Sequence, residues 1–187
     1  MVGGDMIGNK SLAGKKVAFI IAFSNFNGDE YFVPRGILEN AGATIETVSN
    51  GVGRAVGTNG KDTQIDLLLE NLNPADFDAI IFIGGSGCLE NLDNEKSYRV
   101  VRETVSQNKV LASICISPVI LAKAGVLRGK KATVWSSAQD QSPVNILKEG
   151  GAIYEAKPVI QDGNIITATD PSAINEFTDA ILNTLLR

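Results

Sequence analysis

The chain has 187 residues, enough for one ordinary domain and too few for two comfortable ones. Hydrophobic residues make up 44% and charged residues 20%, the balance of a folded globular chain rather than a disordered one. Basic residues number 17 against 21 acidic ones, and the net charge of −4 argues against nucleic acid or an anionic membrane surface as partner. The longest apolar run, residues 17–23, falls far short of the roughly 20 residues needed to span a bilayer. No basic region followed by an apolar core opens the chain, and two cysteines do not make a disulfide framework, so a cytoplasmic location is expected. There is no histidine. That excludes every Ser-His or Cys-His catalytic pair and every histidine-ligated metal site within one chain.

Residues 1–14 are Gly-rich and aperiodic and predict a flexible tail, leaving 15–187 as one domain. VAFIIAF at 17–23 reads as a strand buried on both faces. Helical spacing over 30–41 closes at Ala41-Gly42-Ala43, and 43–50 alternates as a second strand. Residues 51–63 read as a loop with a short strand near 54–56. AIIFIGG at 79–85 is a third buried strand running into a glycine turn, and 94–108 is an amphipathic helix. VLASIC at 110–115 is a fourth buried strand, followed by a helix that starts at Pro118 and ends before Gly125. Shorter strands are predicted at 131–135, 152–154, 158–161 and 164–168, with helices near 142–149 and 171–186. Strands alternating with helices imply a parallel sheet covered on both faces, with ligands at the carboxyl ends of its strands.

Several glycine-rich segments do not complete a known motif. Gly84-Gly85-Ser86-Gly87-Cys88 lacks the closing glycine of a serine-hydrolase elbow, and Gly51-Val52-Gly53 is followed by Val56 where a dinucleotide fingerprint needs its third glycine. Neither a cofactor nor a metal is expected. Gly84-Gly85 reads as a tight turn after a strand, or as an anion cradle in which backbone N–H groups approach a ligand closely.

Ser113-Ile114-Cys115-Ile116-Ser117-Pro118 has the form of a nucleophile elbow. A buried strand runs into the cysteine, small residues stand two before and two after it, and a proline can open the next helix. At a helix N-terminus the thiol is expected below its ordinary pKa of roughly 8.5. The pattern is equally met by a buried cysteine acting as a small hydrophobe. Asp29 and Glu30, taken alone, read as acids that favour a helix start.

These residues carry a resemblance. LASICISPVILAKAGVLRGKKAT (111–133) resembles the cysteine-elbow segment of the ThiJ/PfpI superfamily, PADFDAIIFIGGSG (74–87) its strand and Gly-Gly turn, and VIQDGNIITATDP (159–171) its C-terminal strands. Phe26-Asn27-Gly28-Asp29-Glu30, with Pro34 beyond, is similar to its glutamate segment. The resemblance implies a three-layer α/β/α sandwich with a mostly parallel central sheet, flavodoxin-like and class I glutamine amidotransferase-like. It implies Cys115 as nucleophile, Glu30 as the carboxylate that contacts the sulfur, and Gly85, Ile116 and Gly84 as the oxyanion-binding turn. Trp135, Ser117 and Asp29 are expected at the pocket, and Cys88, three residues past Gly85, is a candidate redox partner.

The chain also departs from the family pattern. Protease-like members have a histidine directly after the cysteine, where Ile116 stands, and deglycase-like members have one where Trp135 stands. The resemblance implies a cysteine-dependent enzyme acting on a small carbonyl or amide substrate, of glutathione-independent glyoxalase, deglycase or hydrolase type. The alternatives are a redox-sensing stress-response protein whose Cys115 is oxidised to sulfinic acid, and a non-catalytic binding member. A homodimer or larger homo-oligomer is expected from the same resemblance.

Overall fold

The computed structural model describes residues 11–187, so the tail expected over 1–14 lies outside the described residues as far as residue 10. Residues 11–14 are tied to the body. Leu12 is fully buried and donates its backbone N–H to the Ala41 carbonyl at 2.7 Å.

In chain order the elements are β1 (Lys16–Ile21), β2 (Ser24–Phe26), α1 (Gly28–Asn40), β3 (Thr44–Ser49), β4 (Arg54–Gly57), β5 (Asp62–Gln64) and β6 (Leu67–Leu68). There follow β7 (Ala79–Phe82), α2 (Cys88–Leu92), α3 (Glu95–Ser106), β8 (Val110–Ile114), α4 (Pro118–Lys123) and β9 (Lys131–Ala132). The chain closes with α5 (Ser142–Glu149), β10 (Ile153–Tyr154), β11 (Val159–Asp162), β12 (Ile165–Ala168) and α6 (Ile174–Leu185). The central sheet runs β11-β12-β8-β7-β1-β3-β6, parallel throughout except where β11 pairs antiparallel with β12. This is the three-layer, flavodoxin-like sandwich that the sequence led us to expect.

Strand period decides the layers. In β1, Val17, Phe19 and Ile21 face one core with Tyr31 and Leu38 of α1 and Phe177 and Ile181 of α6. Ala18 and Ile20 face the opposite core with Val100 and Val101 of α3, Val119 to Ala122 of α4, and Leu147 of α5. A strand packed on both sides has no polar face, which is why these segments read as continuous apolar runs. Strand order reverses between β1 and β7, and in sheets of this kind the crevice at that reversal, beyond the carboxyl ends, is where ligands bind. The segments that meet there are 22–30, which holds the short strand β2 and the start of α1, and 83–88, the glycine turn that leads into α2.

The short elements β2, β5, β6 and α2 were not foreseen. β5 and β6 are too short to show a period, and α2 begins inside the glycine turn. β2, β4 and β5 form a small second sheet, and the Thr58 N–H donates to the Phe26 carbonyl at 2.8 Å, fastening the β4–β5 turn beside the start of α1. Among the described residues no helix is long and apolar enough to cross a membrane.

Candidate active site

Cys115 occupies the corner between β8 and α4 with φ of 65°, in the left-handed region that a non-glycine residue enters at a cost of about 1–2 kcal/mol. The corner is held on both sides. Cys115 donates its N–H to the Ala168 carbonyl at 3.0 Å and accepts from the Trp135 N–H at 2.9 Å. Pro118 opens α4, where its missing N–H leaves nothing unsatisfied.

Ser117 supports the turn from beneath. Its fully buried hydroxyl lies 2.6 Å from the Ser113 hydroxyl, accepts from the Ile114 N–H at 3.1 Å, and reaches the carbonyls of Ile114 at 2.8 Å and Phe82 at 3.1 Å. Ser117 was expected at the pocket. It faces inward instead, joining the ends of β7 and β8.

Glu30 enters from the first turn of α1. Asn27 caps that helix, accepting the Glu30 N–H at 3.1 Å. The Glu30 side chain is fully buried, and Oε1 accepts the Gly84 N–H at 2.9 Å. Oε2 is buried with no hydrogen-bond partner, and Cys115 stands beside the carboxyl, since a Cβ built on Gly84 would lie 2.6 Å from the Cys115 Cβ and 2.8 Å from Glu30 Oε1. Burial is the largest influence on its proton affinity, raising its pKa to about 7 against the pull of the Gly84 N–H and the thiol; the charges of Asp170 and Asp29 add to the rise.

The thiol does not behave as its place at a helix start suggested. Burial, then the neighbouring Glu30 charge, pushes Cys115 up to about 12, while the N–H groups of Ile116 and Gly85 pull the other way. A six-residue helix supplies too little field to reverse the loss of water. Burial thus favours the neutral form of both groups, and the carboxylate's charge further opposes ionisation of the thiol.

The glycine turn divides its work. The Gly85 and Ile116 N–H groups address the sulfur, so they also border the place where an oxygen on a carbon bonded to that sulfur would lie. Gly85 has φ of 118°, and a Cβ there would lie 2.5 Å from the Asn25 carbonyl oxygen. Gly84, expected among the oxyanion donors, is not one of them, because its N–H is taken by Glu30.

Above the sulfur opens a cavity of about 480 Å³. Cys115, Gly85, Ile116 and Trp135 line it, together with four residues not singled out in the sequence: Asn27, Thr58, Ser86 and Leu89. Asn27 and Thr58 come from loops, and Leu89 from the short helix α2, where no periodicity marked them. Asp29 is exposed and does not line the cavity. Cys88 is fully buried in the core on the α3–α4 side, and burial raises its thiol far above the ordinary range. Both cysteines are free. Among the described residues no group of three metal-ligating side chains is placed to hold an ion.

A cysteine on a left-handed strand-to-helix corner, with a buried carboxylate at the switch point of a flavodoxin-like sheet, defines a cysteine-elbow protein of the amidotransferase-like class. This chain belongs to the DJ-1/PfpI family, whose sequence model matches residues 15–184. It is 37% identical over 177 residues to an uncharacterized protein of Methanocaldococcus jannaschii, covering 94% of this chain and 85% of the relative. It is 32% identical over 157 residues to a deglycase of Pyrococcus horikoshii, covering 84% of this chain and 91% of that one. The crystal structure of a ThiJ/PfpI domain protein from Brachyspira murdochii superposes with a TM-score of 0.84 at 30% identity, covering 92% and 98% of the two chains. Drosophila melanogaster DJ-1beta superposes with a TM-score of 0.80 at 26% identity, covering 92% and 90%.

Proposed function

We propose that this chain is a cysteine-dependent enzyme acting on small α-oxoaldehydes or their adducts, of glutathione-independent glyoxalase or deglycase type, in which Cys115 is the nucleophile and Glu30 carries the proton. The observation that carries this reading is the Glu30 carboxyl beside the Cys115 thiol with a pKa near 7, the value at which one group both accepts and returns a proton efficiently at neutral pH. The relatives named as deglycases support the same chemistry.

The steps balance with these two side chains and water. Glu30 takes the thiol proton as the sulfur bonds to the aldehyde carbon, and the resulting oxyanion lies toward the Gly85 and Ile116 N–H groups until Glu30 returns that proton to it, which leaves the carboxylate ionised again. The ionised Glu30 then removes the proton on that carbon and delivers it to the neighbouring carbon, while the hydroxyl proton passes to the neighbouring oxygen, converting a hemithioacetal into a 2-hydroxy thioester. Water cleaves the thioester, releasing the 2-hydroxy acid and restoring the thiol. One carbon is oxidised and its neighbour reduced, so no external oxidant is required.

The test is conversion of methylglyoxal to lactate without glutathione, by purified protein and by Cys115→Ala and Glu30→Ala. We expect turnover in the parent and its loss in both variants. Absence of turnover with every dicarbonyl, accompanied by stoichiometric consumption of peroxide at Cys115, would assign the chain to redox sensing instead.

A further inference from the structure

Among the described residues no lysine or arginine lines the cavity over Cys115. Its polar positions are the neutral side chains of Asn27, Thr58 and Ser86, and its apolar wall is Leu89, Ile116 and Trp135. Among the described residues the charged groups that act on Glu30 are acidic: Asp170 and Asp29 are close enough to raise its proton affinity. Cations in the flanking segments are engaged elsewhere. Lys61 stands 5.9 Å from the Phe32 ring centre, Arg54 pairs with Asp62 at 2.7 Å, and Lys157 pairs with Glu155 at 3.1 Å.

A carboxylate or phosphate is held where a guanidinium, an ammonium or a set of uncommitted N–H groups answers its charge. This site offers none of the first two. Its free N–H groups, from Gly85 and Ile116, are directed at the sulfur and the reacting oxygen. An anionic substituent entering the cavity would lose water and meet the field of three carboxylates. An apolar substituent would displace water from Leu89, Ile116 and Trp135 instead, a favourable exchange.

We infer that the site selects uncharged carbonyl compounds bearing an apolar substituent, aryl or branched alkyl, and excludes those bearing a carboxylate or phosphate, with Trp135, Leu89 and Ile116 as the specificity-determining wall. The inference rests on the reading of Cys115 as the nucleophile of this cavity.

The test uses three alkylating agents of one chemistry on the intact protein: iodoacetate, iodoacetamide and N-phenyl iodoacetamide. Rates at Cys115, followed by mass spectrometry, are divided by those of N-acetylcysteine thiolate under the same conditions. Iodoacetamide should be favoured over iodoacetate by about tenfold beyond the free thiol, the low end of what a charged cleft imposes on an ionic reactant. N-phenyl iodoacetamide should exceed iodoacetamide by several-fold beyond the free thiol, and Trp135→Ala should remove that margin. Ser86→Arg, placed at an exposed lining position, should erase most of the discrimination against iodoacetate. Normalised rates within twofold of one another for all three agents would overturn the inference, whatever the protein turns over. The predicted preferences without turnover of any dicarbonyl would support the inference and refute the enzymatic reading.

Discussion

A methyl group placed on Gly84 would lie 2.6 Å from the Cys115 Cβ and 2.8 Å from Glu30 Oε1. The glycine is therefore the spacer that lets thiol and carboxyl share one proton's reach, and its N–H orients the carboxyl. Gly84→Ala should part the pair. We expect dicarbonyl turnover to fall at least about a hundredfold and stability to drop by about 1–3 kcal/mol from overpacking, read by urea titration of the same sample. A variant with parental activity would show that the two side chains do not act together.

Glu30 links activity and stability in opposite senses. Its pKa is near 4.5 when unfolded and about 7 when folded, so the folded state holds the proton more tightly. The stabilisation from this group is complete below about pH 4.5 and is lost as pH rises through 7, amounting to at most ~3 kcal/mol. Wild-type stability should decline between pH 5 and pH 8 more steeply than that of Glu30→Gln, which has no proton to lose. Turnover, which needs the carboxylate to take the thiol proton, should rise over the same interval. Identical pH–stability curves for the two proteins would count against the burial argument.

The same substitution reports on the thiol. With the carboxylate's charge removed, the Cys115 pKa should fall from about 12, as followed by ultraviolet thiolate absorbance. Cys88, sealed in the opposite core, should remain unmodified by a maleimide until the protein unfolds. Labelling of Cys88 before Cys115 in native protein would contradict its burial.

The cysteine corner and the glycine turn were legible in the sequence because they depend on short-range backbone requirements, whereas the roles of Glu30, Gly85 and Ile116 entered only through the family resemblance. Ser113 and Ser117 around Cys115, Pro118 after it, and the Gly84-Gly85 pair each answer a local demand for small size, left-handed φ or a missing N–H. The fold followed from β1, β7 and β8, whose unbroken apolar runs need cover on both faces. What stayed hidden depends on three-dimensional surroundings. The direction of the Cys115 shift is set by burial and by Glu30, 85 residues away in the chain, which no local rule about helix starts contains. Gly84 and Gly85 look alike in sequence, yet one N–H holds a carboxyl and the other faces the sulfur. Ser117 looked like a pocket residue because its position along the chain does not tell which way a tight turn points its side chain.

Ser117→Ala tests that inward role. The alanine keeps the turn's small size but removes the acceptor of the Ile114 N–H and the partner of the Ser113 hydroxyl, both buried. Leaving such groups unpaired costs about 1–3 kcal/mol, and a loosened elbow should lower kcat more than it changes KM. An effect confined to KM would instead place the hydroxyl against substrate.

The last prediction concerns peptide bonds. Expelling an amine requires that it leave protonated, and cysteine proteases use imidazole first as base toward the thiol and then as acid toward the nitrogen. With no histidine in 187 residues, a second copy of the chain cannot lend one either. Glu30 could supply the proton to the departing nitrogen only from its neutral form, which is half depleted at pH 7. Attack on an activated aldehyde makes a smaller demand, because no amine departs and the proton moves between adjacent carbons. A fluorogenic peptide panel should therefore show no cleavage above background at pH 7, with the same preparation converting methylglyoxal. Cleavage abolished by Cys115→Ala would mean that Glu30 does the work of an imidazole and that a chain without histidine can still expel an amine.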